Sequence, residues 1–560
     1  MSPSEVPPSS GPVGSLPWAN DPTQIQGKPV PPAPSSHRIC EDPSPGWERY
    51  WLRGSEAINP IVVKEVRQSL KSRQFTLSFG LTLLAAVGWT LIGTTLMVPR
   101  LYYLPAGLPF LTGFFCILAL PLLIIVPFSA YRSLSAEMEH STFELLKISA
   151  LSALQIVYGK MASALVQTML YLSALAPCIV LTYLLRGVSL WSILLLLGAT
   201  VVISVVETAI AILLAAISNT RVLQSLISLV TLIAMICIFF SWVSFVVNTL
   251  ETYGDVLSQS GSGGTLAILG ALILIFATIS LCLRAAAAAI DFPGENHATP
   301  LRWRILALVC LALFWSVLGM TALRIATPTD SLYMGAFFLF LFLGALMTGE
   351  HGVISPRAQR TLPVTFAGRV FKTCFQPGAG LGYIFIICLY ASLVITLIAF
   401  EIYFDNNVAA FLTSGSSILP AHLLLCYLAI YLGINRLIMF ALPQHLPGRM
   451  VGSVAVLLVV LIAVHISPLV IVYASNDYRD FDYAWHQAFN IPWSIQEASV
   501  NGLSPALLLN TSILTICAVA IFGLNLILST RDVMLIRVAE PPRLRGPKQV
   551  TPTAPDPFAP

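Results

Sequence analysis

Residues 188–217 read VSLWSILLLLGATVVISVVETAIAILLAAI, thirty positions with one ionisable side chain, Glu207. As an α-helix this run is about 45 Å long at 1.5 Å per residue, more than the ~30 Å hydrocarbon core of a bilayer. A helix on the surface of a soluble domain is apolar along one stripe, whereas this run is apolar all round. It reads as a membrane span, and the rest of the chain repeats it.

Eleven further runs have the same character: Thr76–Val98, Leu108–Ala130, Gly159–Leu185, Val222–Leu250, Gly264–Ile290, Trp303–Ala326, Leu332–Gly349, Leu381–Tyr403, Ile418–Phe440, Met450–Tyr473 and Pro505–Thr530. Only 10% of the residues are charged and 56% are hydrophobic. A soluble domain carries roughly a quarter of its residues as charges, so this composition excludes a water-soluble enzyme. The expected fold is an all-α polytopic transmembrane helix bundle of about twelve spans.

Orientation follows from Lys and Arg near the span ends, which concentrate on the cytoplasmic side. With the N-terminus inside, the outer side holds only Arg100, Arg186, Arg324 and Arg479 of the thirty Lys and Arg. Clusters fall inside: Lys64 to Arg73, Arg302 with Arg304, Arg357 to Lys372, and Arg531 to Lys548. Both termini are therefore assigned to the cytoplasm. Residues 1–57 and 541–560 read as disordered cytoplasmic tails, the first rich in Pro and Ser and unlike a signal peptide. Eight of the ten cysteines lie within apolar runs, where a thiol acts as a small hydrophobe, so no disulfide is expected. Of the two long outer loops, Glu251–Gly263 and Ser475–Ser504, the second carries Tyr478, Tyr483, Trp485 and Trp493. It reads as a solvent-exposed cap, with folding onto the outer membrane face as the alternative.

Just before the first span comes NPIVVKEVRQSLKSR, residues 59–73. Asn59 is a good N-cap and Pro60 suits the first helical position. Val62, Val66 and Leu70 fall on one face, and Lys64, Arg67 and Lys71 on another. This pattern predicts an amphipathic helix along the cytoplasmic interface, with its cations toward anionic head groups. The connection between the second and third spans, residues 131–158, contains two capping-box patterns, Ser141 with Glu144 and Ser152 with Gln155. They predict a short helix, a break near Ser149, and a second helix running on into the third span.

Glu139, Thr142, Glu144-Leu145-Leu146, Ser149 to Ser152 and Ile156 to Lys160 resemble, in that order, the membrane subunit of ABC-2 type ATP-binding-cassette transporters. Asn59-Pro60 with Lys64, Glu65 and Arg67 is similar to that family's interfacial elbow helix. The likeness covers a six-helix core over residues 58–290; Ser141 and Ala150 stand where the family usually has glycine and proline. The resemblance implies a permease, an exporter in the cell membrane, and a coupling loop that includes Glu139, Thr142, Glu144, Leu145, Leu146, Ser152, Gly159 and Lys160. It implies a cytoplasmic ABC ATPase as partner, with ATP and Mg bound there and not on this chain. A second permease copy is a further implied partner, beside the lipid bilayer, and no nucleic acid is expected. The second set of six spans, 291–540, carries no motif of this kind. Its long loop Glu350–Gly380 falls between its own second and third spans, which leaves open a duplication or a coincidence of spacing.

The 560 residues hold no phosphate-binding loop, no metal-ligand set of His and Cys, and no nucleophile elbow. His140, His297, His351 and His445 are scattered and read as solvated. Glu207 lies about ten residues from the inner end of its span, near the bilayer centre. It reads either as a pathway residue or as a protonated glutamate bonded to a neighbouring Ser or Thr. His465 reads as a helix-packing donor, and Arg436 and Glu401 as side chains near enough to span ends to snorkel. An ion- or proton-coupled secondary transporter or channel using Glu207 is the competing function.

Overall fold

Each long apolar run forms one helix. The computed structural model describes residues 60–98, 103–139, 152–218, 221–253, 262–291, 296–322, 329–350, 352, 372–405, 418–443, 448–476, 483–500 and 504–535. In chain order the helices are α1 Pro60–Leu70, α2 Arg73–Met97 and α3, which joins Gly107–Leu120, a π-turn Pro121–Ile125 and Val126–Glu139. The first set continues with α4 Ala153–Leu184, α5 Leu190–Ile217, α6 Arg221–Tyr253 and α7 Ser262–Ile290. Then come α8 Ala298–Ala322, α9 Thr329–Thr348, α10 Ala379–Asp405, α11 Ile418–Ala441, α12 Arg449–Asn476, the short α13 Ile491–Val500 and α14 Pro505–Leu535. Eleven of these are long and apolar enough to cross a bilayer, and α9 is a shorter apolar helix. The protein is a multi-pass all-α membrane protein.

Packing repeats between the two sets of six. In the first, α3 packs on α4, α5 and α6, while α5 packs on α4, α6 and α7, and α4 also meets α2 and α7. In the second, α9 packs on α10, α11 and α12, while α11 packs on α10, α12 and α14, and α10 also meets α8 and α14. Position for position these are the same eight pairings. A duplicated six-helix unit predicts such a match, whereas chance spacing of one loop does not. Among the described residues, the pairing of α2 with α3 has no comparable counterpart between α8 and α9. Each set encloses its own apolar core, one around Phe114, Leu118 and Tyr171, the other around Tyr390, Tyr427 and Tyr431.

The helix α3 shows how sequence sets local structure. Pro127 has no N–H to give, and the turn before it widens, so that the Val126 N–H reaches back five residues to the Pro121 carbonyl. The next bond in that pattern would need the proline's missing donor, which leaves the Leu122 carbonyl free within the helix. Ser204 Oγ from α5 donates to it at 2.6 Å. A neighbouring helix thus satisfies the group, as a membrane interior requires.

Several expectations change. At 131–158 the helix of the second span continues to Glu139, further than expected, while α4 starts at Ala153 and runs on into the third span as expected; the short helix and the break near Ser149 lie outside the described residues. The described part of the segment Ser475–Ser504, residues 483–500, is not solvent-exposed throughout. Its Ala488 and Phe489 carbonyls accept hydrogen bonds from Tyr427 and Tyr431, nine and thirteen residues along α11, and Gln487, Asn490 and Ser494 are buried. Tyrosine hydroxyls at that depth need acceptors, and the inserted backbone provides them. Arg436 does not snorkel; it is 3% exposed and bonded to Asn525 and Asp532. His465 bonds the Leu461 carbonyl of its own helix, not a neighbour.

Orientation is testable on two exposed serines, Ser499 on α13 and Ser152 at the head of α4. With native cysteines replaced, Ser499→Cys is expected to react with an impermeant maleimide in intact cells, and Ser152→Cys only after lysis. Labelling of Ser152→Cys in intact cells would reverse the assignment made from Lys and Arg.

Candidate functional site

Lys160 is the centre of the site. It sits in the third turn of α4 and is 2% exposed. A buried ammonium is tolerated only when its charge and its three donors are met. Ser133 Oγ and Glu65 Oε2 accept hydrogen bonds from Nζ at 2.9 and 3.3 Å, and Glu137 Oε2 lies 3.1 Å away as an ion-pair partner. Ser133 also donates to Glu65 Oε2 at 3.4 Å. The two partners on α3, Ser133 and Glu137, are one helical turn apart and so share a face. One lysine thereby ties together α1, the end of α3 and the base of α4.

The approach of α1 to α4 depends on small residues. Gly159 and Ser163, four apart on α4, are both buried, and Ser163 Oγ lies 3.0 Å from Ser69 Oγ of α1. Glu65 and Ser69 are likewise four apart and face α4, while Lys64, Arg67 and Lys71 point away and are exposed. Lys64 Nζ is 3.9 Å from the other Glu65 oxygen, with its side chain 57% exposed. The amphipathic helix expected from sequence is present, but its inner stripe packs on protein. Ser152 caps α4: its Oγ accepts from the Gln155 N–H and its N–H donates to Gln155 Oε1. Pro60 begins α1, and Glu139 ends α3. Asn59, Thr142, Glu144, Leu145 and Leu146 lie outside the described residues.

Glu207 stands apart from this cluster, in the middle of α5. It is 6% exposed, and neither carboxylate oxygen has a hydrogen-bond partner. The bond to a neighbouring Ser or Thr anticipated for it is not formed.

The second set has its own charged station on the same side. Arg302, at the start of α8, is fully buried. Its Nη1 donates to the carbonyls of Cys374 and Gln376 at 2.9 and 2.5 Å, and its Nη2 to Glu350 Oε2 at 2.5 Å. Nearby, Asp532 Oδ2 of α14 accepts from the Gly380 N–H at 2.7 Å and from Arg436 at 3.4 Å. A Cβ on Gly380 would lie 2.3 Å from Arg436 Nη2, so a side chain there would have to displace that guanidinium. Gly378, with φ +141°, takes a backbone conformation that side chains disfavour. Both sets therefore hold the end of their second helix to the start of their third through a buried cation.

No family model, curated protein or solved structure matches this chain. The fold and the site define its class by themselves, a polytopic helical membrane protein with a buried ionic tie on the side rich in Lys and Arg.

Proposed function

We propose that this chain is the membrane-spanning permease of an ATP-binding-cassette transporter of the cell membrane, an exporter driven by a separate cytoplasmic ATPase. One observation carries the reading: Lys160 binds α1, α3 and α4 into a single unit at both ends of the connection 140–151. A push on that connection would move α3 and α4 together with the interfacial helix, instead of being absorbed at one flexible joint. The resemblance of residues 139–160 to an ABC-2 coupling loop supplies the source of the push. The chain has no phosphate-binding loop of its own, so ATP and Mg belong to the partner.

The test is capture of the ATPase by reconstituted protein and stimulation of its hydrolysis. Wild type is expected to do both, and Leu145→Ala with Leu146→Ala to insert normally but lose most of the stimulation. Truncating central apolar anchors of an interface typically costs roughly 2 kcal/mol or more. A double variant that stimulates like wild type removes the coupling role from the loop. Failure of wild type to capture any ATPase removes the family assignment.

A second reading, an ion- or proton-coupled carrier, is favoured by the partnerless carboxylate of Glu207. Proteoliposomes separate the two. A permease moves cargo only with the ATPase and ATP, and collapsing the proton gradient leaves that unchanged. A coupled carrier stops when the gradient is collapsed.

A further inference from the structure

The structure assigns a ligand site between α5 and α6: a lipid-facing apolar groove with a polar inner end, fitted to an amphiphilic primary ammonium. The groove, about 410 Å³, is lined by Ile203 of α5 and by Cys237, Ile238, Ser241, Trp242 and Phe245 of α6. Cys237, Ile238 and Phe245 are exposed, so the groove opens where a lipid chain would lie.

Its inner end is set by helical geometry. On α5, at 100° per residue, Glu207 falls in angle between Thr200 and Ile203. Ile203 lines the groove, and Thr200 faces α6, since it accepts a hydrogen bond from Trp242 Nε1 at 3.0 Å. Glu207 thus continues the α6-facing stripe one turn further inward. On α6, Thr231, Met235, Ile238 and Trp242 recur at intervals of four, three and four, which again is one stripe. The last two line the groove and the first two are buried beyond it.

Two polar side chains therefore lie inward of the groove on opposite helices, Glu207 one turn beyond Ile203 and Thr231 two turns beyond Ile238. Glu207 lies ten residues before Ile217, and Thr231 ten residues after Arg221, on antiparallel neighbours. Both are more than nine-tenths buried, and Glu207 Oε1, Glu207 Oε2 and Thr231 Oγ1 all have no hydrogen-bond partner. Unserved oxygens inward of an apolar slot, two of them on one carboxylate, suit a group with several N–H donors and a positive charge. The ammonium would bond to these oxygens and neutralise the carboxylate, while the alkyl chain lies against Ile203, Ile238 and Trp242. A neutral or anionic amphiphile would leave Glu207 unpaired. The assignment is independent of how transport is powered.

The experiment uses the whole chain in phosphatidylcholine nanodiscs, with a dodecylamine carrying a photoreactive diazirine in its chain and a matched dodecanol as neutral control. The amine is expected to label the α5 and α6 segments around Ile203 and Trp242 saturably, with unlabelled dodecylamine competing, and the alcohol without saturation. Glu207→Gln should lower the saturable labelling about tenfold or more, and the near-isosteric Thr231→Val by a smaller factor. Equal saturation by the alcohol, or labelling undiminished in Glu207→Gln, overturns the site. Should Glu207→Gln fail to insert, Thr231→Val decides, and labelling at the wild-type level overturns it. Neither ATPase nor transport enters the measurement, so its failure leaves the permease reading untouched.

Discussion

Replacing Lys160 by methionine is expected to destabilise the folded protein by about 3–5 kcal/mol, the usual cost of removing one member of a buried ion pair. The cost arises from what remains. Glu65, with its side chain 8% exposed, loses the cation that offsets its burial, and Glu137 loses its contact at 3.1 Å. Methionine restores the volume but no charge. The triple variant Lys160→Met, Glu65→Gln, Glu137→Gln is expected to recover most of the loss, because no uncompensated charge is then buried. Thermal unfolding of the purified protein, read as loss of the monodisperse peak, measures both. If Lys160→Met melts like wild type, the tie is not a structural element. If the triple variant melts no better than the single one, the loss is not electrostatic. A stable triple variant that captures the ATPase without stimulation would separate the tie's mechanical role from its contribution to folding.

The second large effect belongs to Arg302. Arg302→Lys keeps the charge but is expected to release the segment 372–380. A guanidinium presents its donors in a fixed planar fork, and here both terminal nitrogens are shared among Glu350 and backbone carbonyls. One ammonium cannot reach all of them from a single position. Loss of even one hydrogen bond to a charged group, at ~1.5–3 kcal/mol, raises the population of the opened segment about tenfold or more. Cys374, whose carbonyl Arg302 holds, reports the opening: its labelling by a small maleimide is expected to speed up by about that factor. An unchanged rate would show that the segment is held by Asp532 and Arg436 and not by Arg302. Arg302→Leu, which leaves Glu350 without a cation, is expected to be worse than Arg302→Lys in thermal unfolding.

These two cations show what composition hides. In the sequence, Arg302 and Lys160 look like ordinary positive charges at the inner ends of spans, where the bias in Lys and Arg places them. Arg436 looks the same. All three are buried, and nothing in their spacing separates them from exposed Arg67 or Lys71. The resemblance pointed to Lys160 and Glu65 as members of two motifs ninety-five residues apart, but not to their contact. Glu137 and Ser133 carried a legible signal. Their four-residue spacing becomes a shared helical face once α3 is continued past Ala130, which the apolar run alone does not require.

The amino-acid sequence by itself determined that this chain forms membrane-crossing helices, where most of them begin and end to within a few residues, and which side is rich in Lys and Arg. Those properties depend on runs of twenty or so neighbouring residues, and the bilayer thickness acts on each run separately. It also determined the caps that operate within one turn, as at Ser152 and Gln155. Only the tertiary structure decided that the two sets of six helices share one packing scheme, because helix faces of Leu, Val and Ala carry little information about their partner. Only it decided that Ser204 serves the carbonyl left open by Pro127. It alone decided that the outer segment around Ala488 inserts beside α11, and that the oxygens of Glu207 and Thr231 stay unserved. In a membrane interior every polar group must find a partner or stay costly. The sequence places those groups along the chain, and the packing of distant helices decides which of them are met.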